Sequence, residues 1–127
     1  MSEAVEAGFV PGRHAIEAYG RGGFRFAGMS HRGSILALPS GIREWPVEDA
    51  RDLAMADLDP VFADAPRVEF LILGTGTEML VVPDAIRSRF RAAAISFDVM
   101  QTGHAARTYN VLLAEDRRVG AALMAVD

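Results

Sequence analysis

QTGHAARTYNVLLAEDRRVGAALMAV, residues 101–126, holds in succession a polar glycine turn, an apolar helical pattern, a short charged break and an apolar strand. Thr102 is placed to cap the helix, and Ala105, Ala106, Tyr109, Leu112 and Leu113 then share one face of it. The closing run RVGAALMAV reads as a buried strand. Immediately upstream, AISFDVM (residues 94–100) alternates, with Ile95, Phe97 and Val99 facing one way and Ser96, Asp98 and Met100 the other. Before it, Pro83-Asp84 opens a helix whose Ile86 and Phe90 lie one turn apart on the buried side. Arg87 and Arg91 form a neighbouring stripe. VEFLILG (residues 68–74) is a near-continuous apolar run ending in glycine, the pattern of a strand covered on both faces. The second half therefore reads strand–helix–strand–helix–strand. Crossovers of this kind give parallel strands with helices packed on the sheet, so the predicted fold is an α/β layered domain.

The first half extends that sheet. Residues 1–14 read as a flexible lead-in punctuated by Pro11-Gly12, which leaves 15–127 as one domain. Phe24 and Phe26 alternate with Arg25, which predicts two short extended pieces around residues 20–23. GSILALP (residues 33–39) is a compact strand, and Ser40-Gly41 turns the chain. Residues 45–55 fit neither the helical nor the strand period and stay unassigned. Asp59-Pro60 predicts a short helix to about Ala63, with Asp59 as cap and Pro60 at the first helical position.

Composition narrows the function classes. The 127 residues suit one ordinary domain, and half of them are hydrophobic, enough for a packed core. The formal charge of −4 argues against nucleic acid as the main partner, which leaves a reading of Arg87, Arg89 and Arg91 as a nucleic-acid patch weak. All thirteen basic residues are arginine. The chain has no cysteine, which excludes disulfides, thiolate catalysis and cysteine-ligated metals. His14, His31 and His104 stand in no metal-ligand spacing, so no metal and no cofactor is expected. No apolar run approaches the length of a membrane span, and the acidic, polar start lacks the features of a signal peptide, which points to the cytoplasm. Charge is unevenly spread. Residues 44–69 hold eight acidic against two basic residues, whereas residues 85–127 hold six basic against four acidic. An acidic flank of this kind is a solvated face or a docking surface.

Two motifs fail on inspection. Gly74-Thr75-Gly76 follows a strand, but Met79 stands where a dinucleotide fingerprint needs its third glycine, and no helix opens there. GMSHRG (residues 28–33) puts Arg32 where a nucleophile elbow needs glycine, which leaves Ser30 without that role and His31 as a loop residue. No general acid–base pair stands out, and no catalytic residue is assigned. A third pairing is more promising. If the strands ending at Leu73 and Met100 are parallel, Gly74-Thr75-Gly76 and Thr102-Gly103 emerge on one rim, where ligands of open α/β sheets bind. With Arg107 one turn into the helix, these residues would form a small electropositive, anion-binding crevice. The competing reading is that Thr102 only caps and Arg107 pairs internally.

IEAYGRGGFRFAG, GSILALPSGIREW, FLILGTG and VMQTGHAARTYNVLLAEDRRVGAALMAV, in this order over residues 15–126, resemble the small uncharacterised domain shared by mitochondrial respiratory complex I assembly factor 3, the adipogenesis-associated domain-containing protein and many bacterial homologues. The resemblance implies a single three-layer α/β domain with a mixed central sheet and no established enzyme activity. It also implies a role through protein contacts, beside another assembly factor at the inner membrane. It singles out Gly74, Thr75, Gly76, Thr102, Gly103, Arg107, Thr108, Tyr109 and Asn110 as motif residues, while His104 departs from the small residue the pattern carries. The leading expectation is a non-enzymatic interaction module for a membrane-associated complex, cytoplasmic or peripheral at the inner membrane in a bacterium. Its contact surfaces would be residues 44–69 and the Arg87/Arg91 face. The rival is a small-molecule or anion-binding protein, or an enzyme, using the Gly74–Arg107 crevice.

Overall fold

A computed structural model describes residues 9–127 of the chain. Nine strands and three helices follow one another as β1 (Phe9–Pro11), β2 (Ile16–Gly20), β3 (Gly23–Phe26), β4 (Met29–Arg32), β5 (Ser34–Leu38), β6 (Gly41–Trp45), α1 (Asp59–Ala63), β7 (Phe70–Gly74), α2 (Asp84–Ala92), β8 (Ser96–Met100), α3 (Thr102–Ala114) and β9 (Val119–Leu123). Two 3-10 turns, Ala50–Asp52 and Met55–Leu58, lie between β6 and α1. Six strands form the central sheet in the order β1-β6-β5-β9-β7-β8, and β2-β3-β4 form a separate meander.

The central sheet is mixed, as the resemblance implies. β7 pairs in parallel with β8, Gly74 standing opposite Met100, and in parallel with β9, Gly74 standing opposite Leu123. The β9–β5, β5–β6 and β6–β1 pairs are antiparallel. The strand–helix–strand–helix–strand reading of the second half therefore holds, with β7 in the middle of the parallel part.

Period-two alternation sends each strand's side chains into two cores. Leu36, Leu38, Leu71, Leu73, Ala122 and Met124 pack on one face with Ile86 and Phe90 of α2 and Val61 of α1. Ile35, Ala37, Ile72, Ala121 and Leu123 pack on the other with Ala105, Ala106 and Tyr109 of α3 and with Ile16, Phe24 and Phe26 of the meander. Both faces of β5, β7 and β9 are thus covered, which is why these strands read as continuous apolar runs. The result is three layers, with α1 and α2 on one side and α3 with the meander on the other.

Four local expectations change. Phe9–Pro11, within the expected lead-in, is the edge strand β1, paired with β6 across about thirty residues of chain. A three-residue strand has no internal period to read. What allows it is close approach, since a Cβ on Gly41 would lie 2.5 Å from the Val10 carbonyl oxygen. Residues 1–8 of that lead-in fall outside the described residues. His31 sits in β4, not in a loop, paired with Phe24. Gly41–Trp45, expected only as the exit of a turn, completes a hairpin with β5. Asp59 is the first residue of α1 and not its cap, because the preceding 3-10 turn runs straight into the helix. The unassigned stretch before it holds the other 3-10 turn, Ala50–Asp52, between irregular segments, which matches neither the helical nor the strand period.

Candidate functional site

Parallel pairing brings the two glycine turns to one rim. Thr75 N donates to the Met100 carbonyl at 2.9 Å, and Thr102 N donates to the Gly76 carbonyl at 2.8 Å. The Thr102 hydroxyl accepts from Gly76 N at 2.9 Å and donates to the Met124 carbonyl at 2.8 Å. Met124 N returns to the Gly74 carbonyl at 3.0 Å. One fully buried hydroxyl therefore joins the ends of β7 and β9 to the start of α3. Gly74 is required by this closeness, because a Cβ there would stand 3.0 Å from Thr102 Cα and 3.1 Å from the Leu123 side chain. The Thr75 hydroxyl donates to the Glu78 carbonyl at 2.6 Å and accepts from Leu80 N at 3.1 Å, folding the following loop on itself.

These groups face inward, which corrects two expectations. Thr102 is not the helix cap. It is the first residue of α3, Gln101 occupies the cap position without a side-chain hydrogen bond, and the threonine hydroxyl is committed to the sheet. The electropositive crevice is not formed either. A depression of about 300 Å³ does border Thr75 and Gly76, but Glu48, Asp49, Glu78 and Asp127 line it with Arg51. Arg51 donates to Asp49 and holds that carboxyl at about 2, well below its usual range. Arg107 is exposed on α3 and does not line this depression, because the helix turns Ala105, Ala106 and Tyr109 to the core.

The remaining motif residues clamp the meander to the helix. Asn110 Nδ2 donates to the Ile16 carbonyl at 2.8 Å while its Oδ1 accepts from Ile16 N at 2.8 Å. Tyr109 donates its hydroxyl to the His14 carbonyl at 3.0 Å, and burial pushes its phenol up to about 12. At Gly103 a Cβ would meet the Tyr19 hydroxyl oxygen at 2.2 Å, so only glycine lets that ring lie over the first turn of α3. Thr108 is half-buried beside these contacts.

Arg87 and Arg91 lie on the opposite layer, at the sheet edge formed by β8. The Arg87 guanidinium stands 5.7 Å from the centre of the Phe97 ring. With Arg91, Phe90, Ile95 and Phe97 it lines a depression of about 240 Å³. Among the described residues neither arginine has an ion-pair partner. Arg89, between them in sequence, is occupied: it pairs with Asp59 at 2.8 Å, donates to the Met55 carbonyl at 3.0 Å and covers the Phe62 ring at 4.0 Å.

Sequence reasoning missed one feature, a groove of about 530 Å³ on the meander, lined by Arg21, Arg25, Arg32, Tyr19 and His31 among others. Its signal was the spacing of these arginines, which only a strand register converts into one surface. Among the described residues no group of three or more potential metal ligands clusters, and no helix is long and apolar enough to cross a membrane.

Comparisons with known proteins place this architecture. A solved Bartonella henselae protein described as an outer membrane protein is 49% identical, with a TM-score of 0.87 over 92% of this chain and 98% of that one. An uncharacterized Rhodobacter capsulatus protein is 39% identical over 94% of this chain and 90% of its own length. The Xenopus tropicalis NADH dehydrogenase [ubiquinone] 1 alpha subcomplex assembly factor 3 is 30% identical over 86% of this chain, which spans 60% of that longer protein. The family model described as protein of unknown function (DUF498/DUF598) matches residues 16–124, and the chain belongs to that family.

Proposed function

We propose that the protein is a non-enzymatic interaction module that assists assembly of a membrane-associated complex, a respiratory one in particular. The observation that carries this reading is the similarity over 86% of the chain to a protein named as a complex I assembly factor. The geometry supports it in two ways. The glycine-turn rim spends its hydrogen-bonding groups on joining β7, β9 and α3, so the motif there serves the scaffold. The α2–β8 edge, by contrast, offers Arg87 and Arg91 beside Phe97, a pairing of arginine with aromatic surface that suits protein contacts. The acidic segment before β7 reaches α2 at Arg89, which pairs with Asp59 on the other side of the helix from Arg87 and Arg91. The rival reading is weakened because the depression beside Thr75 and Gly76 is lined by acidic residues and does not include Arg107.

Affinity purification of the tagged protein from its native host, followed by mass spectrometry, tests the proposal. The expected result is recovery of subunits or assembly factors of a respiratory membrane complex, reduced in an Arg87→Glu/Arg91→Glu variant. Absence of any such subunit, together with normal complex assembly in a deletion strain, would overturn it.

A further inference from the structure

The groove on the meander carries charge that the rest of the chain does not explain. Its floor and walls follow from the register. On the outer face, Ala18, Arg25 and Ser30 form one cross-strand row, and Gly20, Gly23 and Arg32 form the next. The two glycines leave that second row without side chains on β2 and β3. A Cβ at Gly23 would fall 2.1 Å from the His31 carbonyl oxygen, so the floor cannot be filled there. Arg25 and Arg32 are diagonal neighbours on this face, an arrangement in which like charges repel. Arg32 Nη1 reaches the hairpin turn, 3.7 Å from where a Cβ on Gly22 would be. Arg21 occupies that same turn with φ 53, a left-handed conformation that a side chain adopts only at a cost.

No carboxylate lines the groove, although the chain as a whole carries −4. Arg25 is held in place: it donates to the Ser30 hydroxyl at 3.0 Å and to the Gly28 carbonyl at 3.2 Å, and lies 3.5 Å from Glu17, which stands outside the groove. Arg21 and Arg32 have no hydrogen-bond or ion-pair partner among the described residues. His31 belongs to the alternate row with Tyr19 and Phe24, so its side chain lies on the other face of the meander, beside Phe26.

We propose that this groove binds a small soluble molecule carrying phosphate groups, with Arg21 and Arg32 as its free cations and Arg25 as a fixed third. Guanidinium forks match phosphate oxygens two at a time, and one phosphate brings −1.5 to −2 charges, enough to offset this density where a single carboxylate would not. The groove is open to solvent, and its volume falls within the range of small-molecule sites. The inference is independent of the assembly role.

Titration of the ¹⁵N-labelled full chain with inorganic pyrophosphate tests it. The expected result is saturable amide shifts confined to residues 18–32, an affinity at least about tenfold weaker in an Arg21→Gln/Arg32→Gln variant, and no change in Arg87→Gln. Parallel titrations use a hexaglutamate peptide and phosphatidylglycerol vesicles. Absence of saturable shifts, or equal affinity in the double variant, would overturn the proposal. So would tighter binding of the peptide or the vesicles at the same residues, which would reassign the groove to an acidic protein segment or a membrane surface.

Discussion

Asn110 grips the backbone of Ile16 from both sides, donating to its carbonyl and accepting from its amide at 2.8 Å each. A side-chain amide here reproduces the pairing a neighbouring strand would make, at the end of β2 where the antiparallel register with β3 is irregular. Ile16 is buried, so the two backbone groups have little water to fall back on. Asn110→Ala should therefore cost about 2–3 kcal/mol in urea unfolding, because a donor and an acceptor lose their partners together. Amide exchange at Ile16 should accelerate in that variant. Unchanged exchange would show that β2 is held by its other contacts.

Thr102 tests the rim in the same way. Thr102→Val keeps the shape but strands Gly76 N and the Met124 carbonyl, and a loss of about 2–4 kcal/mol is expected. Thr102→Ser keeps both hydrogen bonds and should recover most of it. Equal melting temperatures for the Val and Ser variants would count against the hydroxyl as the joint between β7, β9 and α3.

Gly103 and Tyr19 should be energetically coupled. A helical Gly→Ala change is worth about 1 kcal/mol in favour of alanine by propensity alone. Here the new methyl would collide with the Tyr19 hydroxyl. Gly103→Ala should thus be neutral or destabilising in the parent and stabilising in a Tyr19→Ala background. A double-mutant cycle with no coupling between the two changes would contradict the contact.

Tyr109 sets an alkaline limit. Its phenol ionises near 10 when unfolded and at about 12 when folded, because burial resists the charge. The unfolded state therefore releases its proton first. The contribution is fully present below pH 10 and is lost as pH rises through 12, a change of roughly 2–3 kcal/mol. The chain has no lysine or cysteine, and the Tyr109→Phe variant isolates the part due to this residue. Denaturant midpoints should fall between about pH 10 and 12 in the parent, as the shift implies, and fall less in Tyr109→Phe.

Neighbouring arginines of α2 should separate stability from binding. Arg89→Ala removes an ion pair, a backbone hydrogen bond and a ring contact, and about 1–2 kcal/mol of stability should go with them. Arg87→Glu and Arg91→Glu break no ion pair among the described residues and should each cost at most about 1 kcal/mol, through the Phe97 ring contact and the helix dipole. Loss of partner recovery in the second pair without a larger loss of stability would mark the α2–β8 edge as a contact surface.

Sequence by itself determined the layered half of this fold. In β5 and β9 every residue is buried, and in β7 all but Phe70; in α2 the pair Ile86 and Phe90 repeats at one turn, so local patterns suffice to identify the elements and their order. Parallel strands then followed from the crossovers, and with them the meeting of Gly74 and Thr102. Tertiary structure alone decided which way the polar groups point. Whether the Thr102 hydroxyl caps its own helix or bridges Gly76 and Met124 depends on contacts 22 and 26 residues away, and the Asn110–Ile16 clamp spans 94. β1 and the arginine groove are of the same kind. A hydrogen bond or a charged surface assembled across the chain leaves no period in the sequence, because its partners are adjacent only after the layers have closed.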